Sequence, residues 1–261
     1  MASYSAKEQQ LSSGIIISQN VFVSTRMVIF KTNNTDTPIA TQGGTALIIQ
    51  YGNKYLALTA AHTIRDGFNT SDLWLPCRHT YDATHFLKPK RSFELNEGDA
   101  IFGDLSDIIF IELEPEHSEI DCYVWDSRSV SDASKNDQVT VIGYLKASSN
   151  ISYDVKLGAV HVGALAVTQP AVIQGYVDPM PDTDETLIRA RSQVKSEEQV
   201  SFEQRIGDAK GLSGAPVYND ERNALCGIVT RAGYNKGSGF FSFHFVSASL
   251  IDEALTRLYM A

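Results

Sequence analysis

The chain of 261 residues is 43% hydrophobic and 20% charged, a balance typical of a globular protein with an extensive core. Its 22 Lys and Arg residues are outnumbered by 31 Asp and Glu residues, which gives a formal net charge of −9. A surface this acidic repels nucleic-acid phosphates and anionic lipids, so we expect neither as a partner.

Cysteine content and the N-terminal residues favour a cytoplasmic protein. Cys77, Cys122 and Cys226 are odd in number and lack paired spacing, which argues against a disulfide framework. The N-terminal residues lack the basic start and the following apolar run that are typical of a signal peptide. A chain that had been separated from its leader would look the same. The apolar segment 14–23 is too short and polar to span a bilayer, and no later run approaches ~18 apolar residues.

Short apolar runs rich in Val, Ile, Phe and Tyr recur between turn residues in the first half of the chain. They predict strands of an antiparallel sheet at 27–31, 45–51, 55–59, 72–75 and 107–113. Gly52 and Asn53 predict a hairpin turn, because both residue types accept positive φ. Polar residues then dominate 126–138, which predicts a linker between an N-terminal unit at 1–125 and a C-terminal unit at 139–261.

The strand pattern resumes after this linker. It predicts strands at 139–144, 155–167, 186–194, 225–230 and 240–246, and an exposed loop at 178–185. Two successive β units of similar size suggest a pair of barrels or sandwiches. Helical spacing of apolar residues near the end predicts a C-terminal helix capped by Ser249, with Asp252 and Glu253 in its first turn.

One turn-forming segment carries a candidate nucleophile. Residues 207–217 read Gly-Asp-Ala-Lys-Gly-Leu-Ser-Gly-Ala-Pro-Val, which places Ser213 between Gly211 and Gly214. Glycine permits the positive φ of a tight turn and leaves N–H groups free to face a carbonyl. Since Gly-X-Ser-Gly also occurs in ordinary β-turns, this segment needs partners elsewhere in the chain to indicate catalysis.

Two upstream segments supply those partners. An apolar strand runs into Ala60, Ala61 and then His62, and small neighbours leave room for a substrate beside the imidazole. Asp107 precedes the apolar run 108–111, where a partly desolvated carboxylate needs a partner such as an imidazole N–H. Singly, the histidine is typical of a structural residue and the aspartate of a turn; together with the serine they indicate a catalytic triad.

In these segments the chain resembles the chymotrypsin-like serine peptidases. The segments 59–62 (Thr-Ala-Ala-His), 107–113 (Asp-Ile-Ile-Phe-Ile-Glu-Leu) and 211–217 (Gly-Leu-Ser-Gly-Ala-Pro-Val) are similar to the family's histidine, aspartate and serine motifs. The resemblance implies an all-β fold of two antiparallel six-stranded β-barrels with a C-terminal α-helix. It also implies a serine endopeptidase that acts on a protein or peptide substrate without a cofactor.

The resemblance implies a role for each residue of the triad. Ser213 attacks the scissile carbonyl, His62 carries the proton to the leaving amine, and Asp107 holds the imidazole tautomer. The backbone N–H groups of Gly211 and Ser213 form the oxyanion hole. The order His, Asp, Ser argues against an α/β-hydrolase, in which the serine comes first within Gly-X-Ser-X-Gly.

Leu212 departs from the secreted digestive members of the family, which have an aspartate there that pairs with a newly cut N-terminal amine. We therefore expect no zymogen activation of that kind. With this non-acidic residue, the loop is more similar to that of the bacterial branch of the family, which includes HtrA-like and glutamyl-specific peptidases. The segment 238–247 also resembles the strand that closes the specificity pocket in that branch.

The resemblance also implies which residues line the specificity pocket: Asp208, Lys210, Thr230, Arg231 and His244. Asp208 would favour a basic substrate side chain, whereas Arg231 or His244 would favour an acidic one.

No metal is expected, because Cys77, His79 and His85 lack a second ligand pair at zinc-site spacing. The alternatives to a peptidase are a catalytically quiet peptide-binding pseudoprotease and an effector that a protein partner activates.

Overall fold

Most of the described chain is β-strand. The computed structural model describes residues 9–10, 16–17, 19–31, 40–65, 69–77, 86–94, 107–114, 120–144, 171–179, 187–193, 210–235 and 240–260. The strands of the first half are β1 (Gln9–Gln10), β2 (Ile16–Ile17), β3 (Thr25–Lys31), β4 (Ala40–Tyr51), β5 (Lys54–Ala60), β6 (Leu73–Pro76), β7 (Phe86–Glu94), β8 (Ile108–Glu114) and β9 (Tyr123–Val124). Those of the second half are β10 (Gln138–Gly143), β11 (Ala171–Pro179), β12 (Leu187–Gln193), β13 (Pro216–Asn219), β14 (Ala224–Asn235) and β15 (Phe240–Ser247). The helices are α1 (Gln19–Ser24), α2 (His62–Arg65) and α3 (Ala248–Met260), with a 3-10 turn at Thr70–Asp72.

The strands β3 to β9 form a seven-stranded sheet. Its order is β3-β6-β7-β8-β5-β4-β9, and β3 also pairs with β4. In β8 the residues Ile108 to Leu113 are all buried, as expected for a strand that reads as a continuous apolar run. The hairpin between β4 and β5 is confirmed, and Gly52 takes the positive φ of +58°.

The strands β10 to β15 form a closed six-stranded barrel in the order β10-β11-β12-β15-β14-β13. One predicted barrel is therefore confirmed, whereas the second stays a prediction. The sequence pattern missed β11, which includes Asp178 and Pro179, so the predicted loop began two residues too early. The rest of that loop, and the predicted strand at 155–167, lie outside the described residues.

One hydrophobic core joins the sheet, the barrel and the C-terminal helix. Its fully buried members come from all three parts: Leu47, Leu58, Phe110, Ile228, Val246, Ile251 and Leu255. The segment between the sheet and the barrel is tied down as well, because Ser131 N–H donates to Leu225 O and Leu225 N–H donates to Ser129 O. This shared core fixes the sheet against the barrel; the division into two domains and a linker stays a prediction.

Asp132, from the segment between the sheet and the barrel, caps the first turn of the C-terminal helix α3. It begins at Ala248, so Ser249 lies inside the first turn, which contains no acidic residue. The Asp132 carboxylate accepts hydrogen bonds from the N–H and the hydroxyl of Ser249, at 3.1 and 2.7 Å. The predicted serine cap and acidic first turn are therefore wrong, because a carboxylate distant in sequence satisfies the helix terminus. Within the described residues, no helix is long and apolar enough to cross a membrane.

A buried carboxylate on β8 gathers three cations. Glu112 is 2% exposed, and its oxygens lie 3.1 Å from Lys54 Nζ, 3.5 Å from Lys90 Nζ and 2.6 Å from Arg91 Nε. Burial raises the pKa of Glu112, but hydrogen bonds from Arg91 and Lys54 outweigh burial and hold the pKa below its usual value. A carboxylate whose pKa is lowered by folding stabilises the protein above its unfolded-state pKa, and that stabilisation is lost as pH falls through the lowered value.

We expect Glu112→Gln to lower the free energy of unfolding by about 1–3 kcal/mol at neutral pH, because the charge-assisted hydrogen bonds are lost. The loss should shrink in acid, once the wild-type carboxylate is itself protonated. Urea unfolding at about pH 7 and about pH 3 measures both values. The control is Glu253→Gln, whose exposed pair with Arg257 is worth less than about 0.5 kcal/mol. Equal losses in the two variants would contradict this account of Glu112.

Candidate active site

The end of β5 delivers His62 to the start of α2. Ala60 and Ala61 are fully buried, and Ala61 N–H donates a hydrogen bond of 2.7 Å to Asp107 O. This backbone bond joins the end of β5 to the residue before β8. The His62 side chain is 46% exposed, so a rigid strand end presents an accessible imidazole.

The Asp107 carboxylate orients that imidazole. His62 Nδ1 lies 3.0 Å from both Oδ1 and Oδ2 of Asp107. The same Oδ1 accepts a hydrogen bond of 3.1 Å from His62 N–H. Because an ionised carboxylate only accepts hydrogen bonds, this contact favours the tautomer with its proton on Nδ1. The Nε2 atom is then an acceptor.

The atom that faces Nε2 is the hydroxyl oxygen of Ser213. His62 Nε2 and Ser213 Oγ are 3.0 Å apart, although the two residues are separated by 151 positions in sequence. The structure thus brings together His62, Asp107 and Ser213, the three residues that the sequence singled out. Chemically, an oriented imidazole can accept the hydroxyl proton and make the serine oxygen nucleophilic.

The nucleophile loop (210–215) holds Ser213 by backbone geometry and by packing. Gly211 and Gly214 have φ values of +98° and +86°, a region that favours glycine. Leu212 is fully buried in the core of the barrel. Gly214 N–H donates to Val229 O at 2.7 Å, and Val229 N–H donates to Ala215 O at 2.8 Å. The role of the Gly211 and Ser213 N–H groups as an oxyanion hole stays a prediction.

Sequence reasoning missed Thr45, which contacts the nucleophile loop from β4. Its N–H donates to Ser213 O at 2.9 Å, and its hydroxyl donates to Gly211 O at 2.7 Å. In the sequence Thr45 is one polar residue at the start of an apolar strand. The nearest signal is the pair Gly43 and Gly44 before it, because glycine often marks a close backbone approach.

Three of the five pocket candidates lie together beside the nucleophile loop. Thr230 follows Val229 on β14, and its hydroxyl donates to His244 O at 3.3 Å. Arg231 and His244 are register partners across β14 and β15, and the Arg231 side chain is exposed. Lys210 is exposed at the start of the loop, and Asp208 lies outside the described residues. Their contact with a substrate stays a prediction.

The remaining candidates from the sequence are cysteines and histidines. Cys77 and Cys226 are buried, and burial raises the pKa of Cys226 to about 12. Such a thiol stays protonated at neutral pH and is a poor nucleophile. His79 and His85 lie outside the described residues.

The fold is shared with serine proteases of known structure, although the sequence matches no family model and no curated protein. Kallikrein-related peptidase 10 matches with a TM-score of 0.51 and 13% identity, over 90% of this chain and 94% of that chain. A structure named HL collagenase matches at 0.54 and 15% identity, over 98% of both chains. A mutant of human heparin binding protein matches at 0.56 and 12% identity, over 92% of both. At these identities the likeness shows a chymotrypsin-like fold, and the HtrA-like or glutamyl-specific branch stays a prediction.

We expect Gly214→Ala to lower the free energy of unfolding by about 2–6 kcal/mol, through backbone strain and overpacking. A Cβ at this position, which has a φ of +86°, would overlap with Thr45 O and Thr59 Oγ1. Gly52→Ala is the matched control, because Gly52 also has positive φ but a Cβ there meets nothing within 4 Å. The control should lose only about 1–2 kcal/mol. Thermal and urea unfolding of both variants measures the difference, and similar losses would show that the contact with Thr45 is not tight.

Proposed function

We propose that this protein is a serine endopeptidase that hydrolyses peptide bonds through an acyl-enzyme on Ser213. The observation that carries the proposal is the relay of 3.0 Å contacts, from Asp107 to His62 Nδ1 and from His62 Nε2 to Ser213 Oγ. A base aimed at the hydroxyl, and itself oriented by a carboxylate, is the arrangement that activates a serine for acyl transfer.

The chemistry follows from these contacts. Ser213 Oγ attacks the carbonyl carbon of the scissile bond while its proton passes to His62 Nε2. The tetrahedral intermediate then breaks its C–N bond as His62 returns the proton to the leaving amine. Water attacks the resulting ester with His62 again as base, which releases the acid and regenerates the Ser213 hydroxyl. Throughout, the Asp107 carboxylate stabilises the imidazolium and stays ionised.

The negative charge of the tetrahedral intermediate needs donors that are already in place. In the proposed mechanism these are the backbone N–H groups of Gly211 and Ser213, each worth roughly 2.7–4 kcal/mol in comparable sites. The φ of +98° at Gly211 supports this assignment, since a residue with a side chain would resist it.

The N-terminal sheet also supports a chymotrypsin-like architecture. Since β3 pairs with β4 as well as with β6, we infer that β3 to β8 close into the second six-stranded barrel. The parallel strand β9 is then an addition outside that barrel. In this arrangement His62 and Asp107 belong to one barrel and Ser213 to the loop before β13 of the other.

Binding without turnover is the second candidate function. One protein with the same fold is named a heparin binding protein, so the fold by itself does not imply hydrolysis. The assembled contacts of His62, Asp107 and Ser213 favour the peptidase. Cleavage-site profiling on a peptide library would then separate a basic preference, favoured by Asp208, from an acidic one, favoured by Arg231 or His244.

We expect a fluorophosphonate probe to label the wild-type chain on Ser213, because the activated oxygen displaces fluoride from phosphorus. Ser213→Ala should abolish the label, and His62→Ala should slow labelling at least about 10³-fold, since the base is lost. Asp107→Asn should slow it about 10⁴-fold by favouring the wrong tautomer. Gel fluorescence measures the labelling rates, and peptide mapping identifies the labelled residue. The control is Ser131→Ala, which replaces a serine in the segment before the barrel and should keep the wild-type labelling rate.

Undiminished labelling of His62→Ala would show that the base is misassigned. An unlabelled wild-type chain that still binds peptides would favour the binding function. Labelling that requires an added protein would instead indicate a partner-activated effector.

A further inference from the structure

Thr45 has an unusual position, because it makes four hydrogen bonds at the junction of the sheet and the nucleophile loop. It is fully buried. Its hydroxyl accepts a hydrogen bond of 2.9 Å from Tyr144 N–H and lies 2.7 Å from Gly211 O. Since Tyr144 supplies the proton in the first contact, the hydroxyl's own proton is directed to Gly211 O.

The backbone of Thr45 extends the same contact in two directions. Thr45 N–H donates to Ser213 O at 2.9 Å. Thr45 O accepts a hydrogen bond of 2.7 Å from the hydroxyl of Thr59, a buried residue of β5 three positions before His62. One residue therefore connects the strand that carries the base to two carbonyls of the loop that carries the nucleophile.

We propose that Thr45 is a positioning residue that holds the nucleophile loop in its reactive conformation, with both oxyanion donors aimed at the substrate. The proposal rests on the proposed peptidase function. The glycines at 211 and 214 leave the loop backbone with several accessible conformations, so contacts from outside must select one. Thr45 anchors the carbonyls of Gly211 and Ser213, and the peptide unit that carries Ser213 N–H lies between those two anchors. Anchoring the Gly211 carbonyl also restricts how far the neighbouring Gly211 N–H can turn.

Leu212 restrains the nucleophile loop by apolar packing, which cannot replace the directional hydrogen bond from the Thr45 hydroxyl. The Leu212 side chain is buried in the apolar core of the barrel and brings no charge to the loop. Apolar burial fixes the depth of the loop but is not directional, whereas a hydrogen bond to a carbonyl fixes the rotation of a peptide plane. Leu212 and Thr45 thus restrain different degrees of freedom.

The test compares Thr45→Val, which removes the hydroxyl but keeps the shape and the backbone contacts, with Thr45→Ser, which keeps the hydroxyl. With a peptide that the wild type cleaves, Thr45→Val should lower kcat by about 10- to 100-fold and leave KM within about 2-fold, because misplaced donors weaken transition-state binding alone. Thr45→Ser should stay within about 3-fold of the wild-type kcat. Affinity for a peptide aldehyde, which forms a tetrahedral adduct, should fall in parallel with kcat/KM.

Thr140→Val is the matched control for lost stability. Thr140 is also fully buried, and its hydroxyl donates to Asp220 Oδ2 at 2.6 Å, away from the nucleophile loop. It should lower the melting temperature without lowering kcat. An unchanged kcat in folded Thr45→Val, an equal loss in Thr45→Ser, or an equal loss in Thr140→Val would each overturn the proposal.

A wild-type chain that cleaves no peptide and reacts with no probe would refute the proposed function, and the role of Thr45 is then decided by amide hydrogen exchange. Thr45→Val should speed exchange of Gly214 N–H, which is bonded to Val229 O, by about 10-fold or more, while the amides of β8 are unchanged. Unaltered exchange at Gly214 would overturn the positioning role. The experiments therefore distinguish a failure of the proposed peptidase function from a failure of the proposed positioning role of Thr45.

Discussion

The hydrogen bond between His62 Nε2 and Ser213 Oγ depends on how firmly the two halves of the molecule are held together. His62 is carried by the N-terminal sheet and Ser213 by a loop of the C-terminal barrel, so a small shift of one half would separate the two atoms, which lie 3.0 Å apart. The core shared by the sheet, the barrel and α3 supplies the restraint over a large apolar area. The geometry of this site therefore relies on packing far from His62 and Ser213.

Close backbone approach gives that restraint its precision. Gly143, at the end of β10, lies where a Cβ would come within 2.8 Å of Leu212 Cδ2 and 2.9 Å of Ala215 Cβ. At Gly214 a Cβ would overlap with Thr45 O. Small residues let the nucleophile loop lie directly against its neighbours, so short hydrogen bonds act on its backbone in addition to the packing of Leu212. A loop fixed in this way has little freedom to reorganise.

The sequence predicted the three residues of the candidate active site, whose motifs are local, and missed contacts that join distant residues. His62, Asp107 and Ser213 were recognisable because each follows or precedes a characteristic run of apolar or small residues. The contacts of Thr45 with Gly211 and Ser213 were not, because these partners are far away in the chain. The predicted serine cap of α3 was wrong for the same reason, because the residue that caps the helix, Asp132, lies 117 positions from Ser249. Strand β7 was missed because its Lys-Pro-Lys-Arg segment lacks an apolar pattern.

Detection of an acyl-enzyme would test whether Ser213 acts as a nucleophile. The protein is mixed with an activated p-nitrophenyl ester, release of nitrophenol is followed on the millisecond scale, and the quenched protein is mapped by mass spectrometry. Catalysis through Ser213 predicts a burst of about one equivalent of nitrophenol and an acyl group on Ser213. Acylation at another residue, or steady nitrophenol release that persists unchanged in Ser213→Ala, would contradict it.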